Sequence, residues 1–164
     1  MKRWIKRALS LARNRDGSVM LEFAIGSGVL IAAFTGTFQF GYSFLQYNNL
    51  ENAVARGARY ASLVPYDSIN ETPSADFQTA VQNMVLYGSP TAGTSPVLPR
   101  LTTDNVNLTV KFTSGVPSAM TVSIGPSAAH PNVSSYTINA IFGTRTLTNK
   151  PQVTYTYQGI WAPL

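Results

Sequence analysis

The chain has no cysteine, and among its 164 residues there is one histidine, His130. Without cysteine there are no disulfides, no thiolate metal ligands and no cysteine nucleophile. One histidine excludes a multi-histidine metal site within a single chain. His130 sits between Ala129 and Pro131, the setting of a solvated loop residue. Charge is also scarce, at 12% of residues. The acids form no motif, so the sequence offers no catalytic constellation, no metal site and no call for a cofactor. It does not read as an enzyme.

The little charge there is has been distributed unevenly. Lys2, Arg3, Lys6, Arg7, Arg13 and Arg15 face only Asp16 in the stretch up to Gly17. Six basic residues (Arg56, Arg59, Arg100, Lys111, Arg145, Lys150) and six acidic ones (Glu22, Glu51, Asp67, Glu71, Asp76, Asp104) make up the rest, which is neutral. The whole excess of +5 therefore resides in the leader. A nucleic-acid binder needs a basic patch on its folded part; none is visible, and nucleic acid is not an expected partner.

From Phe23 to Leu50 no side chain is charged. As a helix this run is about 42 Å long, against a hydrocarbon core of roughly 30 Å, so it has the length to span a bilayer. Membrane lipid is then its expected surroundings. Tyr42 and Tyr47 fit an aromatic belt at the far interface, and Asn48 and Asn49 mark the exit into water. The basic leader predicts a cytoplasmic N-terminus with the bulk of the chain exported. Two alternatives stay open: an uncleaved anchor, and a secretory signal cut near the small-x-small triplet Ala53-Val54-Ala55.

Glu22 is the one carboxylate at the mouth of this run. An acid there carries a desolvation penalty and asks for a purpose. Ala24, Gly28, Ala32 and Gly36 recur every four residues, a small-residue ridge of the kind that lets helices approach closely in lipid. Helical spacing continues through Leu50, Ala53, Val54, Gly57, Ala58 and Ala61. A helix over Ser18–Leu63 is predicted, stopped by Pro65 and about 65 Å long. Its excess length reads as a projecting handle, with Arg56 and Arg59 placed to suit the helix dipole.

Beyond it, residues 64–99 read as loop and one short helix. Ser74 or Asp76 caps that helix, Phe77, Ala80, Val81, Met84 and Val85 form its apolar face, and Gly88 ends it. Residues 100–164 read as a small antiparallel sheet. Val106, Leu108, Val110 and Phe112 alternate with polar residues, as do Val153, Tyr155 and Tyr157. Met120–Ile124 and Tyr136–Ile141 are weaker strands; Gly115-Val116-Pro117 and Gly125-Pro126 read as turns. Three Asn-x-Ser/Thr triplets, at Asn70, Asn107 and Asn132, are short enough to arise by chance. The fold class is α+β: a long N-terminal transmembrane and stalk helix, then a small antiparallel β-rich periplasmic domain with one short helix.

Taken together these residues resemble the TadE-like pseudopilin family of tight-adherence (Flp) pilus assembly. The resemblance rests on the leader ending Arg15-Asp16-Gly17, and on Gly17 followed by Glu22-Phe23, the Flp-type form of a type IV prepilin site. It rests also on Phe38-Gln39-Phe40-Gly41-Tyr42 with the run Leu50–Ala61, and more loosely on Phe77–Gly88 and Val153–Tyr157. It implies a basic leader (1–17) removed by a prepilin peptidase between Gly17 and Ser18. It implies a membrane-anchored pilin-like subunit in the bacterial inner membrane that supports assembly of an adhesive pilus. Expected partners are the peptidase, other pilin or pseudopilin subunits and the inner-membrane assembly machinery. Glu22 and Phe23 then register the helix, Glu22 pairing with a neighbour's new N-terminal amine. The competing reading is a periplasmic binding module tethered by one uncleaved transmembrane helix.

Overall fold

The computed structural model describes residues 15–128, 130–139 and 143–161. It divides between Gly41 and Tyr42 into two units. Helix α1, Arg15–Leu63, supplies the described part of the first and enters the second.

In the first unit the apolar side chains of α1 are exposed: Met20, Phe23, Phe34 and Phe40 each keep three quarters or more of their surface. The polar residues there are tied to the helix itself. Ser27 Oγ donates to the Ala24 carbonyl, Thr35 Oγ1 to Ile31 and Thr37 Oγ1 to Ala33. Such back-bonding satisfies a hydroxyl where no water is at hand.

From Leu50 the same helix becomes core. Leu50, Ala53, Val54, Ala58 and Ala61 are fully buried. The second half of α1 is therefore not the projecting handle that its length suggests. Its apolar stripe is covered by a domain wrapped on it. Helix α2, Ala75–Tyr87, is capped by Ser74, whose Oγ accepts from the Phe77 amide at 3.1 Å and donates to Asp67. It closes on Gly88, whose amide bonds the Met84 carbonyl. Phe77, Val81, Val85 and Leu86 are its buried face. Gly57 explains the close approach of α1 and α2: a Cβ at that position would stand 2.3 Å from Val85 Cγ2.

The strands are β1, Val106–Thr113; β2, Val116–Ile124; β3, Tyr136–Asn139; β4, Thr144–Leu147; and β5, Gln152–Thr156. They form two antiparallel sheets rather than the one expected: a three-stranded sheet in the order β1-β2-β5 and the pair β3-β4. The β1-β2 turn is Ser114-Gly115, with both φ angles positive, as a two-residue hairpin of right-handed twist requires. The expected turn at Gly115-Val116-Pro117 lies one residue too late. Val116 and Pro117 are in β2, where Ser118 is the extra residue of a bulge and the register shifts between Lys111 and Phe112. A proline is tolerated at such a strand end. Of the expected strand Tyr136–Ile141, Tyr136–Asn139 is observed; residues 140–142 lie outside the described ones.

Val106, Leu108 and Val110 of β1 and Met120, Val122 and Ile124 of β2 turn one face of the sheet to the core. Tyr66 sits at the end of α1 in an aromatic cluster, with rings of Phe77, Phe112 and Tyr157 edge-on at 5.3, 5.8 and 6.5 Å. Burial pushes its hydroxyl up to about 12. The segment 157–161 fastens this corner. The Gln158 amide bonds the Ser62 carbonyl at 2.8 Å, and Trp161 Nε1 the Ser68 carbonyl at 2.9 Å. The Tyr157 hydroxyl accepts from the Tyr66 amide at 2.8 Å and lies within bonding distance of the Val64 and Ile160 carbonyls.

Candidate functional site: the N-terminal half of α1

Every residue singled out for assembly falls in the first unit. Gly17, Ser18, Glu22, Phe23, Ala24, Gly28, Ala32 and Gly36 are all helical and all exposed. Ser18 and Glu22 are four residues apart, about 6 Å along the axis and on neighbouring parts of the helix surface. Among the described residues Glu22 has no ion-pair partner. Ala24, Gly28, Ala32 and Gly36 form a ridge that winds slowly about the helix at its four-residue period. A Cβ added at Gly28 or Gly36 would meet nothing within 4 Å. No packing among the described residues therefore calls for glycine there.

Arg56 and Arg59 are not in the last turn of α1, which holds no basic residue. They are exposed and line a groove with Asn52 and Tyr155. His130 is half-buried rather than freely solvated. Its Nε2 lies 3.3 Å from Thr109 Oγ1, and its backbone exchanges hydrogen bonds with Ser127. Among the described residues there is no group of three or more His, Cys, Asp or Glu side chains able to hold a metal ion.

The geometry defines a class: an α+β protein whose N-terminal helix is the one described helix long and apolar enough to cross a membrane, its apolar window unburied within the chain. Comparison with known proteins gives that class a family resemblance. The family model described as TadE-like protein matches residues 17–59. The match begins at Gly17 and takes in Glu22-Phe23, the small-residue ridge and Phe38–Tyr42. It runs down α1 into the buried stripe around Leu50 and Val54. Phe77–Gly88 and Val153–Tyr157 lie outside it. No curated protein and no solved structure matches the chain.

Proposed function

We propose that this protein is a pilin-like subunit supporting assembly of a Tad-type adhesive pilus. In this reading α1 is held in the bacterial inner membrane, with its N-terminus cytoplasmic and the compact α+β unit periplasmic. The match over residues 17–59 carries the reading. It is supported by the N-terminal half of α1, whose apolar window is not buried among the described residues.

The residues then take distinct roles. A prepilin peptidase cuts between Gly17 and Ser18. Glycine there lowers helix propensity by about 1 kcal/mol relative to alanine, which eases the local unwinding a peptidase needs. The cut removes the leader and its +5 charge, and leaves an amine at Ser18. Glu22 meets the corresponding amine of a neighbouring subunit, so that each charge relieves the desolvation of the other. Ala24, Gly28, Ala32 and Gly36 let the neighbouring helix come close.

The deciding measurement is the mass of the mature N-terminus in cells with and without a prepilin peptidase. A chain beginning at Ser18, seen only with the peptidase, is the expected result. An intact N-terminus in both supports the uncleaved tethered module, and a start near Arg56 supports a secreted domain.

A further inference from the structure

The three-stranded sheet has two edges, and they are treated differently. In an antiparallel ladder, backbone groups of alternate residues point to alternate sides. The Tyr157 amide bonds the Ser118 carbonyl and the Ile124 amide bonds the Pro151 carbonyl. With the β2-β5 register, this places the backbone groups of Val153 and Tyr155 toward β2. Those of Gln152, Thr154 and Thr156 point outward. The same alternation turns Val106, Leu108, Val110 and Phe112 outward on β1.

The β1 edge is guarded. Glu71 Oε1 accepts from the Phe112 amide at 3.4 Å, and Gln82 Nε2 donates to the Val106 carbonyl at 3.4 Å. The β5 edge is bare: among the described residues nothing bonds the outward groups of Gln152, Thr154 and Thr156. Nor does β5 carry the devices that protect an edge, because Gln-Val-Thr-Tyr-Thr contains neither charge nor proline. Beside it α1 lays a polar stripe, Asn49, Asn52, Arg56 and Arg59, at spacings of three and four. Two adjoining cavities of about 470 and 370 Å³ share Arg59 and Tyr155 and follow the line between α1 and β5. The stripe is about 15 Å long, the reach of a strand of four or five residues. Arg56 and Arg59 are exposed and, among the described residues, have no acidic partner.

We infer that the β5 edge is a docking site for an extended acidic segment of another protein, which adds a strand to the sheet and sets a carboxylate against Arg56 and Arg59. Main-chain bonds to Gln152, Thr154 and Thr156 give the affinity, and the arginines choose the sign of the partner's charge. A second copy pairing through its own β5 is disfavoured, because it brings two arginine pairs to one interface. The inference stands on the sheet edge and is independent of processing at Gly17.

The test uses the full chain in detergent micelles and two seven-residue peptides of alternating threonine and valine, one with two glutamates and one with two lysines. The acidic peptide should bind and slow amide exchange at Gln152, Thr154 and Thr156. The double variant R56E/R59E should weaken it at least tenfold and reverse the preference toward the lysine peptide. Thr154→Pro removes one outward amide while sparing the bonds to β2, and should abolish binding of either peptide. Absence of protection, or equal binding of both peptides, overturns the inference. So does protection that rises with protein concentration and needs no peptide, which assigns the edge to a second copy.

Discussion

Gly57 shows how much one missing side chain can decide. Val85 occupies the space a Cβ would take, 2.3 Å away. Gly57→Ala should lower unfolding stability by about 1–3 kcal/mol through overpacking, and Val85→Ala should restore part of the loss. Urea unfolding of the four chains followed by circular dichroism checks both. Tyr66 gives a pH signature. Its hydroxyl titrates near 10 when unfolded and at about 12 when folded. The folded state thus holds its proton more tightly. The associated stability is complete below pH 10 and is lost as pH rises from 10 to 12. Tyr136 and Tyr157, also raised by burial, act in the same direction. The unfolding midpoint should fall over that window, and fall less steeply in Tyr66→Phe. At Glu22 the expected outcome concerns assembly: Glu22→Ala should leave insertion and cleavage intact but reduce pilus formation. Normal piliation of that variant, counted by electron microscopy, would refute the pairing of Glu22 with a neighbour's amine.

At the scale of elements, legibility followed locality. Helix α2 could be read because its cap, apolar face and stop lie within fifteen residues of each other, and the structure chose Ser74 over Asp76 as the cap. Strand β1 alternates cleanly and was visible. Strand β4, Thr144–Leu147, is largely exposed and carries no alternating apolar pattern to betray it. The bulge at Ser118 was hidden because it is held by cross-strand bonds: Ser118 Oγ donates to the Lys111 carbonyl at 2.9 Å. Hidden too was the groove beside Arg56 and Arg59, since Tyr155 reaches it from far along the chain. The end of α1 relies on the same kind of distant partner. Tyr157→Phe removes the hydroxyl that serves the Tyr66 amide, and should cost about 1–3 kcal/mol. Thermal unfolding of the full chain in micelles measures it.

For the whole molecule, the long apolar helix was the most legible part. An apolar run with one acid and a small-residue ridge are local signals, and the family match over residues 17–59 covers both; the charged stretch before Gly17 lies outside it. The α+β class was also legible. What the helix does past Leu50 was not, because a buried stripe and a lipid-facing stripe are written in the same residues. Processing at Gly17 would turn a chain of net charge +5 into one of zero, a change that isoelectric focusing of mature and precursor forms should register as a shift to lower pI. The fastening of residues 62–68 by residues 157–161 also imposes an order in time. Chains are made from the N-terminus onward, so α1 is complete some ninety residues before the amide of Gln158 and the hydroxyl of Tyr157 exist to close its end. During that interval Tyr66 lacks the Tyr157 ring beside it and the hydroxyl that accepts from its amide. An interruption of synthesis before Tyr157 therefore leaves the end of α1 without the hydroxyl that serves the Tyr66 amide and without the Gln158 amide on the Ser62 carbonyl.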